Sequence, residues 1–323
     1  MKKIIGIIAG EPNSISSEII FKCWKYGRKN KLNNFIIIGS IKLLIKQKKK
    51  LHENVPIYEL KQSFKPKDIK KNKLCVLNVK FNQKKPFDRI TIKSNKYIFN
   101  CFSLAIDLIR KKRISAIINC PISKETLFKG NSYGVTEYFS KKLNEKDNEV
   151  MLIFNKNLSV SPLTTHIPLK NVSKKIHEAD IIKKVKTIHD FYIKKIKIKP
   201  KIAVLGLNPH AQGPKDFSEE KKIIKPAISR LKKMNINAFG PVSPDTIFTN
   251  YKSKKINIVF GMYHDQVLTG LKTLFKFKAI NVTLGLKFIR VSPDHGVATD
   301  ITGKKLASAE SLIESVKFCN YIK

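Results

Sequence analysis

Three histidines in this chain each follow an apolar run, and each sits in its own short motif. They are His166 in Thr164-Thr165-His166-Ile167-Pro168, His210 in Gly206-Leu207-Asn208-Pro209-His210-Ala211, and His264 in Gly261-Met262-Tyr263-His264-Asp265-Gln266. Neutral imidazole is the commonest protein ligand for a metal ion, and three imidazoles with one open position is a common catalytic arrangement. Only seven histidines occur in 323 residues, so this placement is informative. Any one of them alone reads as an ordinary strand-end residue. Together, they point to a divalent ion able to lower the pKa of a bound hydroxyl and polarise a carbonyl. By ligand type the first choice is zinc. Asp245 and Asp265 are placed either to orient a histidine from behind or to cap a helix. Lys124, in Cys120-Pro121-Ile122-Ser123-Lys124, follows a further apolar run and is a candidate proton carrier or substrate contact.

The elements that must position these residues alternate from end to end. Apolar runs at 4–9, 35–38, 74–79, 116–119, 150–154, 202–207, 256–262 and 279–284 predict buried strands. Stretches of helical period at 15–26, 97–111, 180–193, 219–234 and 308–321 carry an apolar stripe opposite lysines. This alternation predicts an α/β architecture with mainly parallel sheets, whose chemistry gathers at the carboxyl ends of strands. Residues 61–73 read as a surface connection. A Gly-x-Gly-x-x-Gly fingerprint is absent, so a nicotinamide cofactor would need a different kind of site.

With 42% apolar residues the chain can bury a large core, and its length suits two lobes. We expect one lobe from 1–125 plus 270–323 and a central lobe from 126–269, the latter carrying the metal ligands. No apolar stretch is long enough for a membrane span. The opening Met1–Ala9 run passes directly into Glu11-Pro12, which predicts a buried first strand rather than a leader. Five scattered cysteines suit a reducing, cytoplasmic setting and offer no cysteine zinc site. The net charge of +40 raises the question of nucleic acid, but only six arginines occur, and lysine is spread everywhere beside isoleucine and asparagine. That pattern reads as codon bias of an AT-rich genome, and no nucleic-acid partner is expected. The lysines would still attract anionic substrates.

The motifs together resemble the 4-hydroxythreonine-4-phosphate dehydrogenase family of vitamin B6 biosynthesis. The similarity runs from Gly10-Glu11-Pro12 through the three histidine motifs and Gly240-Pro241-Val242-Ser243-Pro244-Asp245-Thr246. It continues through Asn281-Val282-Thr283-Leu284-Gly285-Leu286 and Phe288-Ile289-Arg290 to Asp294-His295-Gly296. The resemblance implies an isocitrate/isopropylmalate-dehydrogenase-like fold of two α/β lobes with the active site in the cleft between them. It also implies an obligate homodimer with a metal site shared across the interface, one histidine coming from the partner chain. The implied reaction is metal-dependent oxidation of 4-phosphooxy-L-threonine by NAD or NADP, then decarboxylation to 3-amino-2-oxopropyl phosphate. Zinc, magnesium and cobalt are all described for the family. The implied substrate contacts are Thr136, Lys272, Asn281 and Arg290, and Asp294, His295 and Gly296 resemble the cofactor-adenosine loop of the wider β-decarboxylating group. Asp265 joins Lys124 as a catalytic candidate.

The sequence also departs from the family pattern. Val135 stands where a histidine substrate contact is usual. Asn13-Ser14-Ile15-Ser16-Ser17-Glu18 replaces a glycine-bearing first loop, which predicts a changed path. Residues 212–218 are poorer in glycine and one residue short. These departures admit two alternatives: a dehydrogenase of a phosphorylated sugar acid such as threonate or erythronate phosphate, or a decayed, non-catalytic homologue.

Overall fold

The computed structural model describes residues 4–128, 134–143, 148–212, 218–276 and 278–322, so most of the altered stretch 212–218 lies outside the described residues. Among the described residues twelve strands form: β1 (Ile5–Ile8), β2 (Phe35–Gly39), β3 (Ile57–Leu60), β4 (Leu74–Asn78), β5 (Ala116–Asn119), β6 (Val150–Phe154), β7 (Ser159–Pro162), β8 (Ile202–Leu205), β9 (Ala238–Val242), β10 (Ile258–Gly261), β11 (Ile280–Leu284) and β12 (Ile289–Pro293). The chain divides into two compact units, Met1–Asp147 with Leu286–Tyr321, and Asn148–Gly285. The sequence reading put the crossings at 125/126 and 269/270, earlier in the chain than these contacts put them. No helix among the described residues is long and apolar enough to cross a membrane.

In the first unit the strands run in the order β3-β4-β2-β1-β5-β12, and every pairing is parallel. β1 and β2 are buried along their whole length, as near-continuous isoleucine runs in a sheet covered on both faces must be. Helices Ser16–Lys29, Asn95–Arg110 and Glu310–Tyr321 supply cover with their apolar faces. From β1 the chain steps to β2 on one side, and β5 lies on the other, so a crevice opens at their carboxyl ends. Gly10, at φ +74, turns the chain there, and its backbone is so close to Pro121 that a Cβ would lie 2.4 Å from the Pro121 oxygen. Glu11 N–H then donates to that same oxygen at 2.8 Å.

In the second unit the order is β11-β6-β7-β10-β8-β9. β6 runs antiparallel to both β11 and β7, while β7, β10, β8 and β9 are mutually parallel. Helices Glu178–Phe191 and Lys225–Lys233 pack here, and Val160, Leu205, Val259, Val267 and Leu271 lie in the unit's core. The five cysteines are all buried and form no disulfide, and burial pushes the Cys23 and Cys101 thiols up to about 12, which disfavours at those two the thiolate that a metal would need.

Candidate active site

The order β7-β10-β8-β9 sets the histidines in a row, because each follows the carboxyl end of its own parallel strand. His166 follows β7, His264 follows β10 and His210 follows β8, with Asp245 beyond β9. Neighbouring strands are about 4.8 Å apart, so side chains leaving adjacent strand ends can meet. The His166 and His264 rings do meet, with centroids 6.0 Å apart. The Thr164 backbone N–H (3.2 Å) and hydroxyl (2.8 Å) both donate to the Met262 carbonyl, lacing the two loops together. Lys184, whose pKa is lowered chiefly by burial, donates to the Leu163 carbonyl at 2.6 Å.

His264 opens the helix His264–Phe275, and its Nδ1 lies 2.6 Å from Asp265 Oδ1. A carboxylate can only accept, so Nδ1 is the donor, and in a neutral imidazole Nε2 is the nitrogen left with the lone pair that a metal would need. His210 differs. Its side chain is 78% exposed, its backbone is left-handed at φ 57, and its Nδ1 lies 3.8 Å from Asp245 Oδ2. Asp245 is held below the usual carboxylate range by the Ser243 hydroxyl first, with a smaller lowering from the His210 charge. The single chain thus pairs His166 with His264 and leaves His210 with Asp245. Among the described residues no group of three or more His, Cys, Asp or Glu stands together as a metal site. The His166–His264–Asp265 arrangement fits two ligands of a divalent ion with an oriented imidazole.

The turn carrying His210 is anchored from below. Glu220, 2% exposed, accepts from the N–H groups of Leu207 and Asn208 and from the Asn208 amide, at 2.8, 2.8 and 2.9 Å. Burial works to raise its pKa, yet the hydrogen bonds from Asn208 and Leu207 hold it below the usual value. A carboxylate depressed in the fold stabilises above the unfolded pKa, and that stabilisation is lost as pH falls through the lower folded value. The loss in Tm between neutral pH and about pH 4 should therefore be smaller in Glu220→Gln than in wild type, measured by calorimetry.

A second set of residues gathers in the first unit. Arg290 on β12 is 3% exposed; its Nε and Nη2 donate to Asn119 Oδ1 at 2.9 and 2.6 Å, and its Nη1 to the Thr136 hydroxyl at 2.8 Å. Burial lowers its pKa to about 10, with the Glu137 charge working the other way, so it stays cationic at neutral pH. Glu137 also accepts from Gly134 N–H at 2.8 Å, which starts the helix Val135–Lys142 and sets Thr136 in place. Val135 is 4% exposed and lies in the apolar core with Phe139 and Leu127. An imidazole forced into that core would lack a partner at a cost of about 1–3 kcal/mol, so Val135→His should lower Tm without raising turnover. A gain in turnover would contradict this placement.

The other candidates are more dispersed. Lys124 is exposed at the start of the helix Lys124–Phe128. Lys272 is exposed in the last turn of His264–Phe275, and Asn281 is half-buried on β11, both in the second unit. In the Asp294-His295-Gly296 loop, Asp294 N–H donates to Ser311 at 2.8 Å, and burial lowers the His295 pKa against the pull of Asp294. A Cβ on Gly296 would meet nothing within 4 Å, so packing does not demand glycine there. Such bare backbone beside open space fits close approach by a dinucleotide. The serines of the first loop do not strain it: of residues 10–18 only Gly10 has positive φ, and Ser14 Oγ donates to the Glu11 carbonyl at 2.7 Å. The buried Glu11 carboxyl is raised by desolvation, opposed by the Asn13 N–H and the Ser94 hydroxyl. Sequence reasoning missed Asn119, Glu220 and Gln266; Asn119 ended a predicted strand and Gln266 lay inside a quoted motif, but nothing in spacing marked them as anchors.

A family model described as pyridoxal phosphate biosynthetic protein PdxA matches residues 31–319. The chain belongs to that family. It is 38% identical over 323 residues to a 4-hydroxythreonine-4-phosphate dehydrogenase of Sulfurihydrogenibium sp. (strain YO3AOP1), covering 99% of this chain and 98% of the relative. It is also 30% identical over 326 residues to a D-threonate 4-phosphate dehydrogenase of Pectobacterium atrosepticum, covering 98% of each. Among solved structures, the 4-hydroxythreonine-4-phosphate dehydrogenase of Klebsiella pneumoniae superposes with a TM-score of 0.85 at 27% identity, over 98% of both chains. The α/β fold with its mostly parallel strands is thus that of PdxA structures.

Proposed function

We propose that the chain oxidises the C3 hydroxyl of 4-phosphooxy-L-threonine with NAD or NADP and releases carbon dioxide to give 3-amino-2-oxopropyl phosphate, in pyridoxal 5'-phosphate synthesis. The observation that carries this reading is the pairing of His166 with the Asp265-oriented His264, within a chain matched to the PdxA family from 31 to 319. His166 and His264 would hold a divalent ion (zinc, magnesium or cobalt) with His210 of the partner subunit, in a cytoplasmic homodimer. When bound, such an ion supplies Lewis acidity at the substrate hydroxyl and at the product ketone. Asp294, His295 and Gly296 would line a bound dinucleotide, whose nicotinamide would supply the hydride acceptor for C3.

Arg290, held by Asn119 and Thr136, supplies fixed positive charge for an anionic group of the substrate. Lys272, Asn281 and Thr136 complete the proposed substrate contacts, with Lys124 as a further cationic contact for the substrate. Asp265 acts through His264, fixing its tautomer and orientation, and is better described as a positioning residue than a catalytic one.

The 30% identity to the D-threonate 4-phosphate dehydrogenase of Pectobacterium atrosepticum supports a second reading: oxidation of a phosphorylated sugar acid such as threonate phosphate. The test is NAD(P)H formation from 4-phosphooxy-L-threonine and from D-threonate 4-phosphate, side by side, with zinc, magnesium or cobalt and with a chelator. Chelator-sensitive turnover that is faster on the amino acid supports the first reading. Faster turnover of the sugar acid overturns it, and no turnover of either by folded, metal-bound protein would mark a decayed homologue.

A further inference from the structure

Gln266 is 9% exposed, and its side chain reaches Gly206, sixty residues earlier, as well as Met262 in its own loop. Its Oε1 accepts from the Met262 N–H at 2.7 Å, in the loop that presents His264. Its Nε2 donates to the Gly206 carbonyl at 2.8 Å, at the start of the turn that presents His210. The amide is thus used on both sides, and a glutamine is the neutral side chain of this length that accepts and donates at once. The space is tight: a Cβ on Gly261 would lie 2.8 Å from Gln266 Oε1. On one side the link continues through Met262 to Thr164 and the His166 loop, and on the other through Leu207 and Asn208 to Glu220.

These contacts form one buried polar line across the ends of β7, β10 and β8. The strands fix only where each loop begins. Past the last ladder bond, something else must hold the loops, most of all at His210, where the backbone is left-handed and the side chain exposed. A satisfied buried network is stiff, and breaking one member leaves its partners without bonds.

We propose that Gln266 is a positioning residue that couples the His264 loop to the His210 turn, fixing each for metal binding. The proposal rests on the metal reading of the histidines given above, and its test separates the two. Cobalt(II) titration of the full-length protein, followed by its visible absorption, is compared for wild type and Gln266→Met, alongside amide hydrogen exchange of both proteins without metal.

Loss of this loop tie should weaken cobalt affinity by up to about 10-fold, the lower end for a group bonded directly to a ligand imidazole, and alter the absorption bands, with Tm only modestly lower. Exchange should speed up in peptides covering 206–212 as well as those covering 262–266. In Gln266→Glu, which keeps the acceptor for Met262 but loses the donor to Gly206, the change should concentrate in 206–212; this variant also decides the matter if the methionine variant fails to fold. Wild-type affinity, spectrum and exchange in the variants would overturn the proposal. If wild type itself binds no cobalt, the metal reading fails and exchange at 206–212 alone decides whether Gln266 couples the loops.

Discussion

An equal, exchanged mixture of His264→Ala and His210→Ala subunits is expected to recover about a quarter of wild-type turnover, although each variant alone has lost its activity. One chain brings His166 and His264 to a centroid distance of 6.0 Å but leaves His210 beside Asp245. If His210 completes the partner's site, each homodimeric variant lacks one ligand at both sites. Its turnover should fall by at least about 100-fold, the upper range for loss of a mere outer-shell partner. In a mixed dimer one site draws its intact His166 and His264 from the His210→Ala chain and its intact His210 from the other. The second site lacks both. Random exchange makes half the dimers mixed, each with one complete site of two, hence the expected quarter. His210 is 78% exposed at φ 57, so alanine removes little packing there and Tm should barely change. Unfolding, refolding together and assaying NAD(P)H formation provides the check. No recovery on mixing would refute sharing across a twofold interface, and wild-type turnover by His210→Ala alone would remove that residue from the metal site.

The strands legible in the sequence were those built from unbroken apolar residues. β1, β2 and β5 are isoleucine-rich and buried on both faces, and little else folds that way. β7 and β12 escaped because Ser159, Ser161 and Arg290 break the apolar run, yet all three are buried and the strands lie inside their sheets. Two of the three find partners distant in sequence: Ser159 receives the Tyr192 hydroxyl at 2.7 Å, and Arg290 finds Asn119. β9 was hidden by Gly240 and Pro241, which an edge strand tolerates. The same division holds at the candidate site. Histidines at strand ends announce themselves by type, whereas Gln266 and Glu220 matter only through partners that the fold brings to them. The first loop is expected to take a new path because serine avoids positive φ, and no serine there adopts it.

Arg290→Ala is the variant expected to damage both affinity and folding, and the proportion between the two reveals its role. Arg290 is buried, and three of its nitrogens are engaged by Asn119 Oδ1 and the Thr136 hydroxyl. Truncation leaves the Asn119 oxygen without those donors, a loss of about 1–3 kcal/mol. If Arg290 were only a structural tie, Tm would fall and the KM of the surviving folded enzyme would hardly change. If it also meets an anionic group, losing a charge-assisted bond of about 1.5–3 kcal/mol should raise KM for the phosphorylated substrate by roughly 10–100-fold, while KM for NAD(P) stays near wild type. Arg290→Lys sharpens the comparison. It keeps the charge, but one ammonium cannot reproduce a planar fork that reaches Asn119 with two nitrogens and Thr136 with a third. The lysine variant should therefore recover part of the substrate KM and little of the lost Tm. Thr136→Val removes a single bond and should cost about 1 kcal/mol in stability, separating the Thr136 side of the cluster from the Asn119 side. A substrate KM unchanged across all three variants would make Arg290 a purely structural residue of β12.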